Sequence, residues 1–146
     1  MIKELIYKGF THTEIKISEV PVALAAPVSR VNKVVSGCIK NSYWVAKLSE
    51  CEIVEGFLVT QFPDKEEHDV VGHAWNRYKG IHFDVTRPLT PEADGVTHQY
   101  FVREVYDWDT ANTSWQFYPE TGEKLDFKTS VNAIEQEVRD HVNRKD

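Results

Sequence analysis

The segment Cys38–Ser49 constrains this chain most. Ile39, Tyr43, Trp44, Val45, Ala46 and Leu48 lie at helical spacing and cover most of a cylinder. Lys40 and Lys47, seven apart, share one narrow wet stripe. A helix apolar nearly all round is a central, buried one, and Ser36 is placed to cap its start. Strand-like segments follow it. Residues 52–61 are rich in Val, Ile, Phe and Thr, with Gly56 as a bulge or close-approach point. A polar loop at 63–68 leads to strands at 70–78 and 81–86, joined by the hairpin signal Lys79-Gly80 and stopped by Pro88 and Pro91. Residues 97–108 read as another strand, and 109–122 as a turn-rich stretch with Trp115, Phe117 and Tyr118. Val131, Ile134, Val138 and Val142 mark an amphipathic helix. Upstream, Ile15 and Ile17 alternate weakly as in a strand, and Pro21 and Pro27 bracket an ordered loop over 22–26. Val28, Val31 and Val35 have helical spacing in a short β-branched piece. Helix, then strands, then helix predicts an α+β fold, a buried helix packed on an antiparallel sheet.

The 146 residues suit one domain, 1–146, because two would each be small and marginally stable. The hydrophobic share of 41% fits a globular chain, and no repeat, linker or low-complexity tract interrupts it. A net charge of −6 argues against a nucleic-acid or anionic-membrane partner, since phosphates are met by clustered Lys and Arg. No apolar run approaches the roughly 18 residues of a membrane span, and the start has no charged-then-apolar signal layout. The expected setting is soluble and cytoplasmic. Cys38 and Cys51, at opposite ends of the predicted helix, stand too far apart for a disulfide, so both are expected as free thiols.

Cys38 is where chemistry enters. It opens the helix directly after Gly37, where the helix dipole and unpaired N–H groups favour thiolate over thiol. Gly37 would also let a substrate approach the sulfur. His73 and Asp84 lie on the two arms of the predicted hairpin. A turn of two residues makes them diagonal neighbours, and one of four makes them directly opposite. Either register puts both on one face, because strand side chains alternate with period two. A carboxylate beside an imidazole fixes its tautomer and stabilises the imidazolium. If the hairpin packs on the helix start, the order is thiolate, imidazolium, carboxylate.

Gly37-Cys38 opening a helix with Ala46, then Val54-Glu55-Gly56-Phe57, His73-Ala74-Trp75 and Phe83-Asp84-Val85-Thr86, resembles the core of the transglutaminase-like superfamily, which is related to papain-like proteases. The likeness spans about residues 37–86. It is nearest to small bacterial and phage proteins that open Cys-x-x-Asn, here Cys38-Ile39-Lys40-Asn41. The resemblance implies Cys38 as nucleophile, His73 as general base and acid, and Asp84 as orienter. Trp75, two residues on and facing the same way, would line the cleft. Ile39 stands where many transglutaminases have Trp, and no glutamine precedes Cys38 at short distance. The Cys38 N–H would then stabilise the oxyanion, with Asn32 or Ser36 as helper and substrate contact.

Two other readings use the same residues. His73, His82 and Asp84, with His68 nearby, could hold zinc, but His82 is nearer the hairpin tip, so neither metal nor cofactor is expected. A non-catalytic binding or structural protein on the same fold is the alternative to an enzyme, with the aromatic-rich stretch 100–118 as its partner surface or, more simply, as core. Cys51 reads as packing, and Asp107 and Asp109 as a solvated loop. The expectation is thiol-based acyl chemistry on a peptide, amide or other acyl substrate, with water or an amine as acceptor.

Overall fold

The computed structural model of the chain describes residues 1–110 and 131–144. In chain order these form β1 (Leu5–Tyr7), β2 (Phe10–Ile15), β3 (Ile17–Ser18), α1 (Ala25–Ser29), α2 (Cys38–Ser49), β4 (Glu52–Gln61), β5 (His68–Tyr78), β6 (Ile81–Phe83), β7 (Thr97–Tyr106) and α3 (Val131–Val142). The strands make one sheet, ordered β1-β2-β7-β4-β5-β6-β3. Neighbours are antiparallel, as expected, except β3 and β6, which run parallel.

That order forces a shape. Ile15 ends β2 and Ile17 begins β3, yet four strands lie between these two in the sheet. Two peptide units span about 7 Å at most. Five inter-strand steps of about 4.8 Å would hold β2 and β3 about 24 Å apart if the sheet were flat. The sheet is therefore rolled on itself, closed by the chain at Lys16. Ile15 and Ile17 reach the same inner cluster from the two ends, with Val54, Leu58, Val71, Trp75 and Tyr100.

The helices cover the outer face. Tyr43, Val45 and Ala46 of α2 pack on Ile53, Phe83 and Tyr106. Val131 and Val138 of α3 pack on Phe57, Val59, Val70 and Phe101. The buried face of α2 also carries Asn41 and Ser42, whereas Lys47 and Leu48 are exposed. The helix is thus wet along one side rather than apolar all round. Gly37, not Ser36, holds its N-cap position, and no side chain caps it. Ser36 has turned into the left-handed region at φ 61°. Residues 22–26 form a 3-10 turn running into α1, and the second hairpin arm stops at Phe83. Trp115, Phe117 and Tyr118 lie outside the described residues.

β6 pairs with β5 only over Tyr78↔Ile81 to Asn76↔Phe83, leaving most of that edge of β5 without a strand. Bare edges invite foreign strands, and here side chains fill the gap. Asn143 accepts the His68 N–H at 2.8 Å and donates to its carbonyl at 2.8 Å. Arg139 donates to the Val70 carbonyl at 2.6 Å, and Glu135 accepts the Gly72 N–H at 2.8 Å. Between Gly72 and the first β6 pair only Ala74 remains on that edge, and α2 begins beside it.

Candidate active site

The Lys79-Gly80 turn decides which residues meet. Both have positive φ, 49° and 79°, as a two-residue hairpin turn of right-handed twist requires. Tyr78 therefore pairs with Ile81 and Asn76 with Phe83. Asp84, the next residue, leaves the strand on the side of the sheet where His73 points. His73 Nε2 and Asp84 Oδ2 are 2.7 Å apart, with side chains only 8% and 1% exposed.

Asp84 is held at all corners. Its Oδ1 accepts the backbone N–H groups of Thr86 at 2.9 Å and Arg87 at 3.3 Å, closing a tight turn. Its Oδ2 also accepts the Tyr100 hydroxyl at 2.7 Å. Burial opposes charge on this carboxyl, but the imidazole, the phenol and the Thr86 N–H outweigh it and hold the acid down to about 2.

Cys38, half-buried at the start of α2, interacts with His73 and shares a cleft with it. Nε2 is taken by Asp84, which leaves Nδ1 for the sulfur. Burial pushes the thiol up, but the hydrogen bond and charge of His73, helped by the Ala74 backbone N–H, bring it below the ordinary thiol range. That N–H is the one on the β5 edge that β6 leaves uncovered. Burial likewise pushes His73 down, but its bonds to Asp84 and Cys38 prevail and raise it to about 10. These shifts all run in the direction of thiolate, imidazolium and carboxylate. Cys51 is also a free thiol, but burial drives it upward, and its neighbour is the Ser49 hydroxyl.

Two loops are tied together here by Asn41. Its side chain accepts the Val34 N–H and donates to the Val34 carbonyl, both at 2.9 Å. It also donates to Thr86 Oγ1 at 2.9 Å. One amide thus fixes the turn before Cys38 to the turn after Asp84.

A cleft of about 320 Å³ opens on this group, walled by Ser36, Cys38, Leu58, His73, Thr86 and Arg87 among others. Of the helper residues expected from sequence, Ser36 stands on its wall. Asn32 lies in a separate depression with Arg30, Lys40 and Trp44. Trp75 is 1% exposed. It stacks under His73 with ring centres 6.1 Å apart and donates its indole N–H to His82 Nδ1 at 2.9 Å. It shapes the floor of the site from within the roll and does not line the cleft. Gly37 has a packing use, since a Cβ there would meet Val34 at 3.1 Å. His82 is committed to Trp75, and among the described residues no three His, Cys, Asp or Glu side chains gather as a metal site would need.

Tyr100 and Arg87 were not singled out from sequence. Arg87 Nε donates to the Tyr100 hydroxyl at 2.9 Å, extending the chain of bonds beyond Asp84. Tyr100 arrives on β7, and only the register of the rolled sheet places it here. Arg87 had a local signal, standing three residues after Asp84 in a turn.

No protein-family model, no curated protein and no solved structure matches this chain.

Proposed function

We propose that this chain is a cysteine-dependent acyl hydrolase or acyl transferase, of peptidase or amidase type, on a transglutaminase-like, papain-related fold. The observation that carries the reading is the 2.7 Å contact between His73 Nε2 and Asp84, which leaves the other ring nitrogen for a half-buried Cys38 at the start of a helix. The thiolate attacks a carbonyl carbon, forming an S–C bond while the carbonyl π pair moves to oxygen. The N–H groups of the first turn of α2, Cys38's own among them, have no partner within the helix and face the developing oxyanion. As the tetrahedral species collapses, the imidazolium gives its proton to the departing amine or alcohol, leaving an acyl-enzyme. Water or an amine then attacks the acyl carbon, with His73 taking its proton, and the thiolate departs. Asp84 holds the imidazole and balances its charge throughout.

The test is a panel of electrophilic acyl-substrate mimics, with mass spectrometry reporting the modified residue. Modification at Cys38, abolished in His73→Ala while the variant keeps its fold by circular dichroism, is the expected result. A panel that never modifies Cys38 faster than a small free thiol would sink the proposal and favour a binding protein.

A further inference from the structure

We infer that Arg87 is a specificity residue of this cleft, and that the acyl substrate carries a carboxylate beside the bond under attack. The inference rests on the catalytic reading of Cys38 and adds the charge of what it acts on.

Arg87 lines the same cleft as Cys38 and His73. Its side chain is 31% exposed, so most of it has left water. A guanidinium presents five N–H donors in a fixed fork. Nε is satisfied by Tyr100 at 2.9 Å. Nη1 reaches both oxygens of Glu92, but only at 3.4 Å, well beyond the 2.7–2.9 Å of a charge-assisted bond. Among the described residues no hydrogen bond is made by Nη2. Glu92 lines the cleft too and pairs loosely with Arg87, but its closer partner is His98, with Oε1 at 2.5 Å from Nε2, and His98 is in turn tied to Thr60 at 2.9 Å. A half-desolvated cation whose nominal partner is drawn away is completed by a planar two-oxygen anion. Tyr100 keeps the fork from swinging out, because its hydroxyl is fixed to Asp84. The chain as a whole has a charge of −6, so an anion gains nothing from the general field and must be drawn by this local cation.

The experiment compares two reagents that alkylate Cys38 with the same loss of iodide as the S–C bond forms. Iodoacetamide is neutral and iodoacetate carries the carboxylate. The ratio of their rates at Cys38, divided by the same ratio for mercaptoethanol, isolates recognition of the anion from thiol reactivity. At about 20 mM salt, where screening is weak, the parent should favour iodoacetate several-fold over the small thiol. Arg87→Gln should lose most of that preference, and Glu92→Gln should increase it. The double variant, with the parent's net charge, should resemble Arg87→Gln. An unchanged ratio in Arg87→Gln, or a preference in the double variant equal to the parent's, overturns the inference. If Arg87→Gln does not fold, a Glu92→Gln ratio at or below the parent's overturns it as well. Failure of the catalytic reading is seen separately, as a parent Cys38 no faster with iodoacetamide than the small thiol.

Discussion

Cys38 and Cys51 begin from the same side-chain chemistry, and their surroundings drive them apart. Burial pushes both thiols up, but the imidazole and a backbone N–H bring Cys38 down, while Cys51 stays raised. At about pH 6.5, below the free thiol value, iodoacetamide should alkylate Cys38 at least about tenfold faster than Cys51. Peptide mass spectrometry reads the two sites separately, and equal labelling refutes the activated thiolate. The buried pair behind Cys38 has its own signature in stability. Asp84 titrates lower in the folded chain than in the unfolded one, so its contribution is present above about pH 4. It fades as pH falls toward about 2. Asp84→Asn should flatten that acid limb in a plot of Tm against pH. His73 runs the other way: raised on folding, it contributes fully below about pH 6.5. That contribution fades as pH climbs toward about 10. A lowered Cys38 thiol offsets this loss in the parent below about pH 8.5 and helps hold His73 up, so the alkaline fall of Cys38→Ser should begin at lower pH than the parent's.

At the scale of the elements, Gly56 is the position least open to change. It faces His73 across the β4–β5 ladder, beside a bulge against β7. A Cβ there would stand 1.9 Å from the Phe101 carbonyl oxygen and 2.8 Å from the Trp75 ring. Backbone cannot yield as a flexible side chain can, so Gly56→Ala should cost about 3 kcal/mol or more in urea unfolding. A loss below about 1 kcal/mol would show that the roll is looser than described. The β5 edge offers a second measurement. Asn143→Ala removes both bonds to His68, and should cost about 1–2 kcal/mol while speeding amide hydrogen exchange at His68 more than at Trp75. Much of this level was readable from residues alone. Cys38–Ser49 and Glu52–Gln61 are helix and strand where patterning put them, and Lys79-Gly80 turns as its dipeptide suggests. The identical Lys8-Gly9, with φ 49° and 76°, turns β1 into β2 in the same way, but short strands with little alternation hid it. Trp75 misled because period-two alternation gives the face of a sheet without saying whether that face is cleft or core.

For the whole molecule, the rolled sheet links stability to reactivity unevenly. Ile15 and Ile17 pack in the interior that holds Trp75 and Tyr100, which flank His73. Val138, on α3, packs against the outer face of the sheet. Ile15→Ala with Ile17→Ala, and Val138→Ala alone, should each cost about 2 kcal/mol or more. Only the interior pair should slow alkylation of Cys38 and shift its pH profile, measured well below each variant's Tm. Equal slowing in Val138→Ala would mean that the site senses stability alone. The closing bend at Lys16 also sets an order in time. Ile15 and Ile17 are synthesised early, but the strands they pair with, β7 and β6, come much later in the chain. Contacts between distant parts of a sequence form slowly, and a chain grows from its N-terminus. Tyr100, which braces Asp84, is among the last of these residues to be made. Until it has been, the half-built chain lacks the full brace on its imidazole and carries a thiol closer to an ordinary one, so Cys38 takes on its lowered pKa only once most of the polypeptide around it exists.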